Sequence, residues 1–181
     1  MRHGMRRSIE IVVLAIITFP MWGGAIAEAG PLDASLRGDY SMTATRTCND
    51  AAQTILFTIV VRGTSTFDGS GGGSFNGQSL AITPQTAQAN QSCTVIYTVN
   101  ADGTFTQQMN CNLTFSAGPD AGNTATLNGI QIQGQLSLDG TVILLSDTAI
   151  NVETFTWTSG PNNGIVSTRE CNTSGSATSR R

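Results

Sequence analysis

Polar and apolar residues alternate along most of this chain, which predicts β-strands whose side chains point to opposite faces in turn. The alternation is clearest in two neighbouring segments, each with its apolar residues at odd-numbered positions. They are Cys93, Val95, Tyr97 and Val99 in the first segment, and Phe105, Met109, Cys111, Leu113 and Phe115 in the second. Gln107 is the one polar residue in this series, and both segments are typical of half-buried antiparallel strands.

The same pattern predicts nine strands and no long helix downstream of residue 30. The predicted strands are 40–48, 55–67, 73–83, 93–99, 105–115, 130–138, 142–145, 152–158 and 165–171. Polar segments between them predict longer loops at 49–53, 84–92, 116–124 and 147–150. The fold class is therefore all-β.

Three Asp-Gly pairs, at positions 68, 102 and 139, lie between alternating runs and predict tight hairpin turns. In a meander these turns gather at one end of the sheet and the longer loops at the other. This asymmetry favours an antiparallel up-and-down β-barrel of about eight to nine strands with one open mouth, and a β-sandwich is the alternative. Nine strands in a pure meander would leave the first and last parallel, so either one strand lies outside the barrel or the closure is unusual.

The four cysteines permit three disulfide pairings. Counting outward from a three-residue loop at 101–103 sets Cys93 directly opposite Cys111, which predicts that these two are joined. Cys48 and Cys171 then remain to join the first strand to the last. No Cys-x-x-C spacing is present, so we expect disulfides and no metal site.

The first 29 residues have the pattern of a cleavable signal peptide. Arginines precede an apolar run from Ile11 to Met21, and Ala27-Glu28-Ala29 matches a signal peptidase site. The apolar run is too short for a comfortable membrane span, so we expect no transmembrane anchor after cleavage. We therefore predict a secreted or periplasmic protein, with residues 30–181 forming a single barrel domain.

Composition narrows the chemistry. The chain contains no lysine, and its one histidine, His3, lies in the predicted signal peptide. The usual general base and the Schiff-base nucleophile are then missing from the remaining domain, so we expect no enzyme activity and no cofactor. The net charge of −3 would repel a phosphate backbone, so nucleic acid is not an expected partner.

Short motifs give a family resemblance. Gly38-Asp39-Tyr40, Thr66-Phe67-Asp68-Gly69 and the segment 97–104 resemble motifs of uncharacterised secreted bacterial proteins thought to form small β-barrels. More distantly, Gly38-x-Tyr40 together with Arg169 is similar to the calycins, which include the lipocalins. The calycin resemblance implies a ligand-binding barrel in which an aromatic residue packs beneath a basic residue at the closed end.

Five residues are candidates for ligand binding. Arg46 and Arg169 each precede a cysteine by two positions, so they share its strand face and would be placed to hold an acidic ligand inside the barrel. The interpretation that we favour is that both arginines extend from strand ends into solvent. Tyr97 and Trp157 would line a pocket or pack in the core, and Gln107 is a polar residue on an otherwise apolar face.

Glu153 and Glu170 would form a catalytic pair only if the fold brought them together, and we expect them to be solvated charges on strands. Two function hypotheses follow. The first is a barrel that binds a small, partly apolar molecule at its looped mouth. The alternative is a disulfide-stabilised structural or surface protein that contacts an envelope protein through its Thr-, Asn- and Gln-rich outer faces.

Overall fold

A computed structural model describes residues 32–49, 55–82 and 86–180. The predicted signal peptide, 1–29, lies outside the described residues. The elements are a 3-10 helix, Leu32–Ser35, and the strands β1 Arg37–Asn49, β2 Ile55–Asp68, β3 Gly72–Ile82, β4 Ala87–Val99, β5 Thr104–Ala117, β6 Thr124–Leu136, β7 Val142–Ser146, β8 Asn151–Trp157 and β9 Val166–Ser179. In the described part of the chain, no helix is long and apolar enough to cross a membrane.

The strands form one closed antiparallel sheet. Neighbours in sequence pair from β1 through β7, and β9 pairs antiparallel with β1, with Tyr40 opposite Ser179 and Cys48 opposite Cys171. The predicted up-and-down barrel is confirmed, and the β-sandwich alternative is wrong. Alternating side chains point inward from each strand, as in the burial of Tyr40, Met42 and Ala44 along β1.

Strands β7 and β8 together occupy one position of the barrel. β7 pairs with residues 134–136 of β6 and β8 pairs with residues 125–128, while both pair with β9. Eight positions therefore close the ring, which makes β1 and β9 antiparallel. The expectation of parallel first and last strands in a nine-stranded meander does not apply, because the predicted loop 147–150 is a break within one position of the ring.

Two side chains replace the ladder hydrogen bonds that this break removes. The Asp147 side chain accepts hydrogen bonds from the backbone N–H groups of Gln133 and Thr173. These residues lie on β6 and β9, the two strands that flank the break. Asn151 accepts the Gln131 N–H and donates to the Gly129 carbonyl. Backbone groups that would otherwise be left without partners are thus bonded across the interruption.

Three predicted boundaries are wrong. β4 begins at Ala87, so residues 87–92 are strand and not loop. β6 begins at Thr124 and not at residue 130, because Gly129 adopts a left-handed conformation (φ 79°) at a bulge that shifts inward positions from odd to even numbers. β9 continues past Cys171 to Ser179 through a stretch of small polar residues.

The end of the barrel that holds the tight turns is closed and packed. The ring of Phe67 lies edge-on to those of Tyr40, Tyr97 and Phe105, at centroid distances of 5.4, 5.0 and 6.0 Å. The 3-10 helix covers this end, and Leu36 just after it is fully buried. The Tyr97 hydroxyl lies 3.0 Å from the Leu36 carbonyl oxygen and donates to it. We call this region the closed end.

Both predicted disulfides are present. Cys93 and Cys111 face each other across β4 and β5, with Cα atoms 4.0 Å apart. Cys48 and Cys171 join β1 to β9, with Cα atoms 4.1 Å apart. All four side chains are buried on the inner face of the barrel.

Candidate functional site

The opposite end of the barrel contains a cavity of about 370 Å³. It opens where β1, β3, β5 and β8 end, beside the connection 118–123. Most of its lining is apolar or aromatic, and the apolar and aromatic lining residues are Phe57, Ile59, Val61, Ala81, Ala87, Ala89, Leu113, Phe115, Pro119, Leu127, Phe155 and Trp157. We call this space the mouth cavity.

Small side chains on one wall leave the space open. β3 and β4 contribute Ser79, Ala81, Ala87 and Ala89 to the lining, where the closed end has large aromatic rings. A barrel of eight positions has an interior just wide enough for its side chains to fill or for one small ligand. The small residues of β3 and β4 therefore leave room for a cavity between this wall and the aromatic rings opposite.

A buried ionic cluster lies at the floor of the mouth cavity. Glu153 is fully buried; its Oε2 accepts a hydrogen bond from Arg46 Nη2 and its Oε1 accepts one from Arg169 Nε, each at 2.5 Å. Arg46 Nε also donates to the Thr173 hydroxyl at 3.2 Å. We call Arg46, Glu153 and Arg169 the floor triad.

Arg169 lies between two aromatic rings. Its guanidinium carbon is 5.0 Å from the centroid of Phe57 and 5.0 Å from that of Phe155. Burial lowers the pKa of Arg169, Glu153 opposes that change, and the positive charge of Arg46 adds to it. A guanidinium still keeps its proton, so the floor triad holds two positive charges and one negative charge.

The cavity wall exposes more positive than negative charge near its floor. Arg46 and Arg169 line the mouth cavity, while Glu153 lies behind them and is not part of the lining. Asp120 also lines it, from the connection 118–123 at the rim, where its side chain is partly exposed to solvent. Water screens a charge at the rim far more than one at the floor.

Three of the five predicted ligand-binding residues meet in this cavity. Arg46, Arg169 and Trp157 all line it. The favoured interpretation, that both arginines extend into solvent, is wrong, because their side chains point inward and are 5% and 11% exposed. Tyr97 and Gln107 do not line it. Tyr97 belongs to the closed end, and Gln107 is buried with its Nε2 3.1 Å from the sulfur of Met109.

The expectation that Glu153 is a solvated charge is wrong. Glu153 points inward and Glu170 occupies an outward position of β9, so the two do not face each other as a catalytic pair. A signal was present in the sequence, since Glu153 shares its parity with Phe155 and Trp157 and therefore lies on their face of the strand. Phe57, which sequence reasoning did not select, likewise shares the parity of Ile59 and Val61.

Two further arrangements bear on the predictions. Cys48, Glu153 and Cys171 lie close enough together to suggest metal ligation, but both sulfurs belong to one disulfide and no thiolate is available to a cation.

Tyr40 lies at the closed end and Arg169 at the mouth cavity, so these two residues do not make the contact that the calycin resemblance implies.

The lining allows two kinds of contact with a small molecule. Aromatic and aliphatic side chains offer an apolar wall, and the guanidinium groups at the floor offer hydrogen-bond donors. No protein-family model, curated protein or solved structure matches this chain.

Proposed function

We propose that this protein is a binding barrel that holds one small, partly apolar molecule in the mouth cavity. The observation that carries the proposal is the contrast between the two halves of the interior. The closed end is packed with aromatic rings, whereas the mouth holds about 370 Å³ lined by apolar residues and a buried polar floor. Natural ligand pockets combine these properties at volumes in this range.

The proposal includes export to a secreted or periplasmic location. Two disulfides support it, because such bonds persist in oxidising compartments. The basic and apolar pattern of residues 1–29 also supports it. Ligand capture outside the cytoplasm would need a stable, closed scaffold, which the disulfide between β1 and β9 favours.

Trp157 provides a direct test. In the chain from Gly30 onward it is the only tryptophan, and it lines the mouth cavity. The oxidised protein is titrated with N-phenyl-1-naphthylamine, a neutral aromatic probe, while Trp157 emission is recorded. We expect saturable quenching with a stoichiometry of one, because the bound probe accepts energy from the adjacent indole.

Two matched variants locate the binding. Ala89→Phe puts a ring into the cavity wall and should abolish the quenching. Ile96→Phe, at an outward position of the same strand that is 68% exposed, should leave it unchanged. If both variants still bind the probe, the probe binds outside the cavity. No saturable response to neutral or charged aromatic probes would overturn the proposal and favour the alternative of a surface protein with an envelope partner.

A further inference from the structure

The floor triad indicates the charge of the ligand. We propose that the mouth cavity selects a small organic monoanion, such as a monocarboxylate, with an apolar or aromatic body. The acidic group would bind Arg46 and Arg169, and the body would lie toward the rings above them. This inference rests on the proposed binding function and names the chemical class of its ligand.

Charge balance is the first argument. Two buried guanidiniums face one carboxylate, so the floor triad carries one positive charge in excess. An uncompensated charge away from water is costly, and a bound anion of charge −1 would remove this imbalance. A neutral ligand would leave the excess positive charge uncompensated, and a dianion would leave a negative excess.

Hydrogen-bond donors are the second argument. A guanidinium offers five N–H donors. Among the described residues, Arg46 donates through Nε and Nη2, and Arg169 donates through Nε. Arg46 Nη1 and both terminal nitrogens of Arg169 have no acceptor there. Both arginines line the cavity, so these donors are available to a ligand carboxylate.

The surroundings of Arg169 make its donors directional. Phe57 and Phe155 lie over its guanidinium carbon, and Glu153 takes its Nε proton. Aromatic stacking and a fixed ion pair limit the rotation of this side chain, so little further entropy is lost when it bonds a ligand. The site is organised before the anion arrives.

The apolar lining of the cavity would contact the apolar body of the ligand. The rings of Phe115 and Trp157 are stacked at a centroid distance of 5.0 Å, and Trp157 also lies edge-on to Phe155 at 5.1 Å. These three rings line the cavity together with aliphatic side chains. An aromatic or short aliphatic body would replace water against this wall.

Asp120 is the one carboxylate that lines the cavity among the described residues. It belongs to the rim, so a ligand oriented with its acidic group at the floor keeps the two negative charges apart. The opposite orientation would bring them together. Asp120 thus favours one direction of entry and lowers affinity for anions slightly.

The test compares two ligands of one shape, 3-phenylpropionate and its neutral amide, by isothermal titration calorimetry on the oxidised protein. We expect the carboxylate to bind about tenfold or more tightly than the amide, because only the carboxylate offsets the excess positive charge of the floor triad and forms ion pairs with its guanidiniums. Arg46→Met should lower carboxylate affinity and leave amide affinity nearly unchanged. This variant leaves Glu153 paired with Arg169, so the floor remains charge-balanced.

Arg62→Met is the matched control, since Arg62 is exposed on the outer face of β2. Asp120→Asn offers a second variant that keeps both arginines, and it should raise carboxylate affinity while sparing the amide. Equal binding of both ligands, unaltered by these changes, would overturn the monoanion inference but leave the binding barrel intact. Failure of both ligands, and of the neutral naphthylamine, would overturn the binding barrel itself.

Discussion

Glu153 is the residue on which the floor of the cavity depends. It is fully buried and accepts hydrogen bonds from two arginines that come from different strands, β1 and β9. The strands could not keep both guanidiniums away from water without a carboxylate between them. The Glu153 carboxylate on β8 therefore allows β1 and β9 each to bury an arginine on the inner face of the barrel.

Glu153→Gln should destabilise the protein by about 3–5 kcal/mol, because it leaves two positive charges buried without a counter-charge. Denaturant unfolding of the oxidised protein, followed by circular dichroism, measures the change. Asp120→Asn, the same change of a carboxylate to an amide at the partly exposed rim of the cavity, is the control and should change stability by less than about 0.5 kcal/mol. A loss below about 1 kcal/mol in the buried variant would show that water in the cavity already solvates the arginines.

Much of the site was predictable from the alternation of inward and outward positions along the strands. Arg46, Arg169 and Trp157 share faces with residues that are apolar or cysteine, and all three line the cavity. The role of Glu153 was not predictable. A meander pairs β8 with β9, but the sequence does not give the register that sets Glu153 opposite Arg169.

The turns between strands were more predictable than the lengths of the strands. Each Asp-Gly pair forms a tight turn, and hydrogen bonds to the aspartate lower its pKa at positions 68, 102 and 139. The full length of β6 was hidden because the bulge at Gly129 changes the parity of its inward residues. The second half of β9 was hidden because its inward residues Thr173, Gly175 and Ala177 are small, with no apolar alternation to detect.

The turn at Asp139 should make the stability of the folded protein decrease in acid. Hydrogen bonds from Ser137 and Thr141 lower the pKa of Asp139 from 3.8 to about 2. A carboxyl group whose pKa is lower in the folded state than in the unfolded state stabilises the fold at pH values above its unfolded-state pKa. This contribution disappears as the pH falls through the folded-state pKa. Asp139→Asn should therefore be less stable than the original protein at pH 5, and the difference should shrink between about pH 4 and pH 2.

Denaturant unfolding at intervals from pH 2 to pH 6 measures that convergence. Thr141→Val removes one donor but keeps the carboxylate, so the pKa of Asp139 is lowered less in the folded state; the variant's loss of stability with acid should be smaller than in the original protein and should level off at a higher pH. Curves for Asp139→Asn that stay parallel to those of the original protein across this range would contradict the assigned role of the carboxylate.

The closure of the sheet between β1 and β9 holds the barrel together. β1 and β9 are remote in sequence, but they form a long antiparallel ladder that the Cys48–Cys171 disulfide crosses. The Cys93–Cys111 bond, in contrast, joins neighbours that a tight turn already connects. The ring itself was predictable from the pattern of turns and loops, whereas its eight-position count was not.

The two disulfides should differ in their contribution to stability. Removing Cys48–Cys171 by double alanine substitution should cost about 5 kcal/mol, and removing Cys93–Cys111 about 3 kcal/mol, because the first closes 123 residues and the second 18. Thermal and denaturant unfolding of both double variants measures the order. An equal cost would indicate that the hydrogen-bonded ladder between β1 and β9 persists in the unfolded ensemble or that cavity formation dominates both changes.

The pairing of Tyr40 with Ser179 has a practical consequence for presenting this barrel to its surroundings. Since β1 starts and β9 finishes beside each other at the closed end, a tether fused before β1 or after β9 would emerge from the face remote from the mouth. A barrel attached to a bead, a sensor chip or a cell envelope through either fusion would stand with its opening directed into the medium, and neither attachment would obstruct the entry of a solute.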